Sequence, residues 1–206
     1  MNLYQLPVQI VPKRMAMHNL QVVYPLITAG TNPMAMHHMN QQIYALVQHL
    51  ITQQGYYQDP RTVSVTGNFE IKTNERGVLS LSLINYAYRE HAAHGMTIIK
   101  SLNFDIYTGK EHYLGELFKP DSDYLTRLDA IVQQQIKARD IPVIDEFPGV
   151  APNQDFYIAD KALVIYYQLY DLAPYAYGFP QFPISVYELQ DIIEEDSLLG
   201  TMLANA

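Results

Sequence analysis

Residues Thr62–Tyr88 read TVSVTGNFEIKTNERGVLSLSLINYAY, and this stretch decides the fold. Val63, Val65, Phe69 and Ile71 recur at two-residue spacing, the period of a strand that buries one face. Asn74-Glu75-Arg76-Gly77 supplies turn residues, and Val78 to Tyr88 returns with Leu79, Leu81 and Leu83 on one side. The reading is a β-hairpin. A loop at 89–95 leads into a third extended run, Thr97 to Tyr107, so the simplest arrangement is an antiparallel meander.

Upstream, residues 8–11 and 15–28 read as strands rich in β-branched and aromatic positions, such as Val22, Val23 and Tyr24. Ala29-Gly30-Thr31-Asn32-Pro33 then combines a turn with a helix start, Asn32 as N-cap and Pro33 at the first helical position. Met36, Met39, Ile43, Leu46, Leu50 and Ile51 follow at spacings of three and four, one buried stripe on a helix that Gly55 caps.

Downstream, Leu114 to Phe118 is a short segment. A second helix is predicted from Ser122 to about Arg139, carrying Leu125, Leu128, Val132 and Ile136, and Ile141-Pro142 ends it. Residues 143–155 read as a loop. Strands are predicted near 156–159 and 162–170 around a turn at Asp160-Lys161. Residues 171–183 read as a proline-rich loop, and a last short helix is placed at about 185–195. The expected class is α+β: antiparallel sheet packed with two main helices and a short C-terminal helix, as a single compact unit spanning 1–206.

Composition narrows the function classes. The 206 residues are 49% hydrophobic and 17% charged, which is globular rather than disordered. A net charge of −8 opposes phosphate neutralisation, so nucleic acid and anionic membrane surfaces are poor partners and a basic partner suits better. With no cysteine, disulfides, thiolate metal sites and a cysteine nucleophile are all excluded. In the first thirty residues Gln5, Pro7, Gln9 and Pro12 interrupt every apolar run, where a signal needs roughly 7–15 residues without a break. Nothing approaches the roughly 20 apolar residues of a membrane span. The expectation is a cytoplasmic chain that does not insert in membranes.

Candidate sites fall into three groups. Glu90-His91-Ala92-Ala93-His94, with His112 further on, has a His-x-x-His pair that could seat zinc. The competing reading is a His94-Gly95 turn whose imidazole bonds to backbone, and no metal or other cofactor is assigned. His37 and His38 are consecutive on the first helix, diverge by about 100°, and read as exposed. Asp105 and Asp171 at strand ends could form an acid–base pair, but Asp105 stands before a turn, where a carboxylate caps backbone N–H groups. No nucleophile elbow, phosphate loop or dinucleotide fingerprint is present, and no catalytic residue is assigned.

Tyrosine is the unusual component: 17 tyrosines and no tryptophan. Tyr166, Tyr167, Tyr170, Tyr175 and Tyr177 fall within twelve residues. On a strand, Tyr166 and Tyr170 share one face and Tyr167 points oppositely, so one face is core and the other is free for binding. Tyrosine offers an apolar body, a polar tip and few rotors to freeze. Tyr166, Tyr170, Tyr175, Tyr177 and Phe179 are therefore the candidate binding residues, centred on the proline-bounded loop Pro174–Pro183.

A spaced series carries a family resemblance. It runs through Tyr86-Ala-Tyr88, His94-Gly95, Lys100-Ser-Leu-Asn-Phe-Asp-Ile-Tyr-Thr-Gly-Lys110, Leu114-Gly-Glu-Leu-Phe118, Gln154-Asp-Phe-Tyr157 and Tyr170-Asp-Leu-Ala-Pro-Tyr-Ala-Tyr-Gly178. Together these resemble the domain of unknown function 3298, best known from the lysozyme-sensing anti-sigma-V factor. Residues 1–95, with the Tyr24-Pro25 strand and the helix containing Asn40, look like the 4163-type segment that precedes it, leaving 96–206 as the 3298-like half. The same pairing occurs ahead of the catalytic domain of some peptidoglycan deacetylases.

The resemblance implies an α+β recognition domain, non-catalytic, for a protein (possibly lysozyme-like) or a cell-wall glycan. The alternatives are a metal-dependent hydrolase of envelope polysaccharide and a cytoplasmic regulatory protein. Relatives are usually extracytoplasmic. The loop also departs from the family: His91-Ala92-Ala93-His94 stands where relatives show Gly-Gly-Ala-His, and alanine enters positive φ only at a cost.

Overall fold

The computed structural model describes residues 6–30 and 32–204. Residues 1–5, on which part of the N-terminal signal reading falls, and Thr31 of the predicted turn lie outside them. The chain forms two compact units, residues 1–111 and 112–206. The class is α+β.

The first unit is a five-stranded sheet in the order β1-β2-β3-β4-β5 with one long helix. β1 (Gln9–Met17) and β2 (Leu20–Ala29) form a hairpin that turns at Asn19, whose φ is 57°. α1 (Pro33–Gln53) then crosses over, so β3 (Val63–Glu75) lies parallel to β2. β4 (Val78–Arg89) and β5 (Met96–Asp105) complete the antiparallel meander read from the sequence.

The helix is built as its sequence predicts. Asn32 Oδ1 accepts from the N–H groups of Met34 and Ala35 at 3.0 and 3.4 Å. At the other end Gly55, at φ 82°, donates to Thr52, and the Tyr56 N–H reaches Ile51, a closing pattern that satisfies the last carbonyls. Its stripe Met39, Ile43, Val47, Leu50 and Ile51 is buried against Leu20, Val22, Val65, Leu79, Leu81, Leu83 and Phe104 of the sheet. Each such side chain contributes about 1.5–3 kcal/mol. Beyond α1's stripe, Ser80 and Ser82 alternate with β4's leucines, and bond to Asn103 and Ser101 of β5.

The break predicted between residues 11 and 15 does not occur. Pro12 sits within β1, opposite Pro25 of β2. A proline survives there because β1 is an edge strand, and because Pro25 lies past the short β2–β3 ladder, which covers only Leu20 to Val22.

The second unit holds a three-stranded antiparallel sheet in the order β6-β7-β8: Phe156–Ala159, Ala162–Tyr166 and Gln181–Ser185. α2 (Tyr124–Ala138) is capped by Asp123 and buries Leu128, Val132 and Ile136. It is tied to β8 where Gln135 Nε2 donates to the Pro183 carbonyl at 2.8 Å.

Two readings of this half are corrected. Residues 181–185, where the sequence predicts loop or helix start, form β8, in which Pro183 is tolerated because the strand is an edge. The last helix is Leu198–Leu203, here α3, rather than 185–195. Residues 186–188 make only a 3-10 turn, and Ile193 bridges to Phe118. Asp191, Glu194 and Glu195 would repel one another at helical spacing of three and four. No helix among the described residues is long and apolar enough to cross a membrane.

Candidate functional site

The tyrosine segment divides into a buried strand and an exposed loop. β7 is the central strand of its sheet, and Leu163, Val164, Ile165 and Tyr166 are all buried. It has no free face. Tyr166 is only 1% exposed, its ring 5.9 Å from that of Tyr157, so it serves the core and cannot share a binding face with Tyr170.

Tyr167 is buried as well. Its ring meets Phe147 and Phe182 edge-on, and its hydroxyl donates to the Gly149 carbonyl at 3.0 Å. Burial pushes the Tyr167 phenol well above the ordinary tyrosine range, and the Asp129 carboxylate adds to the effect.

Past Tyr167 the backbone leaves the strand. Its N–H bonds to the Pro180 carbonyl, and Tyr170 turns the chain at φ 71°. That conformation costs a bulky residue roughly 1–3 kcal/mol. It swings the ring outward, 47% exposed, to lie 5.6 Å from the ring of Tyr175 at a 35° tilt.

The loop that follows is held rigidly. Leu172 and Ala173 are buried, and the Leu172 carbonyl accepts from Ile144. Tyr175–Tyr177 forms a 3-10 turn closed by bonds to Pro174 and Tyr175, and Gly178 reverses the chain at φ 83°, ψ −140°, a region open essentially to glycine alone. Tyr177 is exposed and Phe179 half-buried. Four of the five residues singled out from the sequence thus sit together in one pre-ordered loop.

The histidines arrange differently. His91 is exposed and takes a positive φ of 68°, so the strain falls on it rather than on the alanines that follow. His94 Nδ1 lies 2.9 Å from the Gly95 carbonyl, the backbone-bonded turn anticipated as the alternative to zinc. His112 belongs to the second unit. Among the described residues no three His, Cys, Asp or Glu side chains gather into a metal-holding group.

His37 and His38 are both exposed, with ring centres 6.3 Å apart. Asp105 Oδ1 accepts from Tyr107 and Thr108 at 2.7 and 3.2 Å, the capping role its turn predicts.

A feature the sequence reading missed lies beside the 89–95 loop. Arg89, His94, Gly95, Met96, Ala87, Val63, Ile98 and the end of α1 line a cavity of about 250 Å³. Arg89 is paired with Asp59 at 3.2 Å. The Thr62 hydroxyl on Asp59, aided by the Arg89 charge, holds its carboxyl below the usual carboxylate range. Glutamines near a helix end carry no sequence signal for such a site.

With this geometry established, comparison with known proteins adds the kinship. Residues 115–187 match the family described as "Protein of unknown function (DUF3298)". The likeness lies within the second unit. That segment includes α2, β6, β7, the tyrosine loop and β8.

Two solved DUF3298 structures share the fold across nearly the whole chain. One, from Bacteroides fragilis, has a TM-score of 0.70 at 15% identity, covering 97% of this chain and 98% of that one. Another, from Pseudomonas aeruginosa, has a TM-score of 0.68 at 15% identity, covering 98% of each. The peptidoglycan-N-acetylmuramic acid deacetylase PdaC of Bacillus subtilis is 30% identical over 110 residues, which is 50% of this chain and 24% of that protein. The match therefore spans about a quarter of that relative's length.

Proposed function

We propose that this chain is a non-catalytic recognition domain associated with the bacterial cell wall, and that the loop carrying Tyr170, Tyr175, Tyr177 and Phe179 contacts its ligand. The observation that carries this reading is Tyr170. A bulky side chain is held in a left-handed backbone conformation at the surface, and the strain sets its ring beside Tyr175. Backbone strain of this kind collects at ligand-contacting positions, which favours the exposed ring pair as the contact surface.

A loop fixed by Pro174, a 3-10 turn and Gly178 loses little entropy on binding, and tyrosine pairs make strong anchors. The match to part of a peptidoglycan deacetylase supports an envelope setting. The ligand is a protein, with a basic one such as a lysozyme favoured by the net charge of −8, or a wall glycan. The resemblance of residues 1–95 to the 4163-type segment is part of the same proposal.

Calorimetric titration with lysozyme, alongside sedimentation with purified peptidoglycan, tests it. Saturable binding to either that is lost on replacing Tyr170 supports the reading. Absence of binding to both, or binding indifferent to Tyr170 and Tyr175, defeats it.

A further inference from the structure

The residues that line the cavity at the C-terminal end of α1 all belong to the first unit. That unit also differs from the rest of the chain in charge. Residues 1–111 hold eight Lys and Arg against six Asp and Glu, so the entire negative excess is carried by residues 112–206. An anion that the chain as a whole would repel can approach here.

The cavity sets hydrocarbon beside a cation. Val63 and Ala87 are buried, Ile98 is half-buried and Met96 is exposed, so its apolar lining extends from the interior to the surface. Arg89 lines the same space, and its side chain is 54% exposed, within reach of a solute. Its Nη1 donates to Asp59 Oδ2 at 3.2 Å and to Thr62 Oγ1 at 3.4 Å. No hydrogen bond engages Nε or Nη2 among the described residues. A Cβ on Gly55 would lie 3.5 Å from Nη2, which places that nitrogen against the turn following Gln53 and Gln54, two of the cavity's lining residues.

Asp59 therefore holds the guanidinium by one corner and leaves open the edge formed by Nε and Nη2. Two parallel N–H donors on that edge match the two oxygens of a carboxylate. The exposed link to Asp59 is weak, so it positions the side chain without exhausting its charge. The N–H groups of Gln54, Gly55 and Tyr56 cap carbonyls at the end of α1, which blunts the helix end's repulsion of an anion.

We propose that this cavity binds a small aliphatic carboxylate, its oxygens on Nε and Nη2 of Arg89 and its hydrocarbon chain on Val63, Ala87, Met96 and Ile98. The volume of about 250 Å³ lies below the roughly 300–1,000 Å³ of drug-sized sites, so the occupant is a short or branched chain of a few carbons. A free short-chain acid and the C-terminal residue of a peptide both present this chemistry.

The test is a titration of the ¹⁵N-labelled full chain at pH 7 with isovalerate, N-acetylvaline, acetate and isovaleramide. Isovalerate is expected to give saturable shifts at the backbone amides of Ala87, Ala92, Gly95 and Ile98 in the millimolar range. Acetate lacks the hydrocarbon and isovaleramide lacks the charge, and each should bind about tenfold more weakly or worse. Tighter binding of N-acetylvaline than of isovalerate identifies a peptide C-terminus as the source, and the reverse order a free acid. Arg89→Gln should lower the affinity for isovalerate to that for isovaleramide and leave isovaleramide unchanged, a split that loss of structure would not produce. Should that variant unfold, Ala92→Phe, at an exposed position on the cavity wall, should abolish saturation.

Saturation by acetate or isovaleramide at the concentrations that saturate isovalerate overturns the proposal. So does isovalerate binding unchanged by Arg89→Gln or, where that variant does not fold, by Ala92→Phe. Absence of saturation by either isovalerate or N-acetylvaline overturns it as well.

Discussion

Asn40 satisfies both backbone groups of Ile27: its Oδ1 accepts from the Ile27 N–H and its Nδ2 donates to the Ile27 carbonyl, each at 2.9 Å. The β2–β3 ladder stops at Val22, so a helix side chain does for Ile27 what a neighbouring strand would otherwise do. Asn74 repeats the device on Val8, accepting its N–H at 3.3 Å and donating to its carbonyl at 2.8 Å.

Removing this clamp strands two partly buried backbone groups. Asn40→Ala is expected to cost about 1–3 kcal/mol, read as a lower urea midpoint with unchanged slope. Asn40→Asp places an acceptor against the Ile27 carbonyl. Its deficit relative to the parent should be largest at neutral pH and shrink as pH falls below about 4, where the acid regains a donor.

Gly67 gives a steric prediction. A Cβ there would lie 2.4 Å from Asn85 Oδ1 and 2.8 Å from a methyl of Val22. Gly67→Ala should therefore destabilise by roughly 1–3 kcal/mol despite alanine's better backbone entropy. Unchanged thermal stability would show that the Asn85 amide has room to move.

Tyr167 predicts an alkaline signature. The folded chain holds its phenol neutral above the ordinary value, so the unfolded chain loses that proton first. The stabilisation is full below about pH 10 and fades as pH climbs through the folded value. Tyr167→Phe should cost roughly 0.5–1.5 kcal/mol at neutral pH through the lost bond to Gly149, and flatten the alkaline decline. Denaturation curves at pH 7 and pH 11 would measure both.

Tyr166 and Tyr170 should separate stability from binding. Tyr166→Ala empties a core position and is expected to cost about 3–5 kcal/mol. Tyr170→Gly relieves the left-handed strain, so the melting temperature should hold or rise while ligand affinity falls about tenfold, some 1.4 kcal/mol. Equal losses of stability in the two variants would contradict this division.

Much of the first unit was legible because its signals are local. The Asn32-Pro33 start, the helical stripe and Gly55 place α1, and the two-residue alternation with a turn at Asn74–Gly77 places β3 and β4. Two of the misplacements, those at prolines, share one cause. Pro12 and Pro183 are read as interruptions, yet each lies in an edge strand whose missing N–H is not needed, and edge status is a property of the assembled sheet.

The tyrosine segment shows the same division. The sequence alone determined that tyrosines crowd between 166 and 177, that prolines bound the loop after them, and that strand, turn and helix alternate as an α+β chain. Only the tertiary structure decided that β7 is a central strand, which buries Tyr166, and that the backbone inverts at Tyr170, which exposes its ring beside Tyr175. The burial of Gln54 Oε1 and Asn85 Nδ2 without a hydrogen-bond partner among the described residues was decided there as well. Local patterning follows from each residue's own covalent chemistry. Burial, strand neighbours and unmatched polar groups follow from what the rest of the chain places around it.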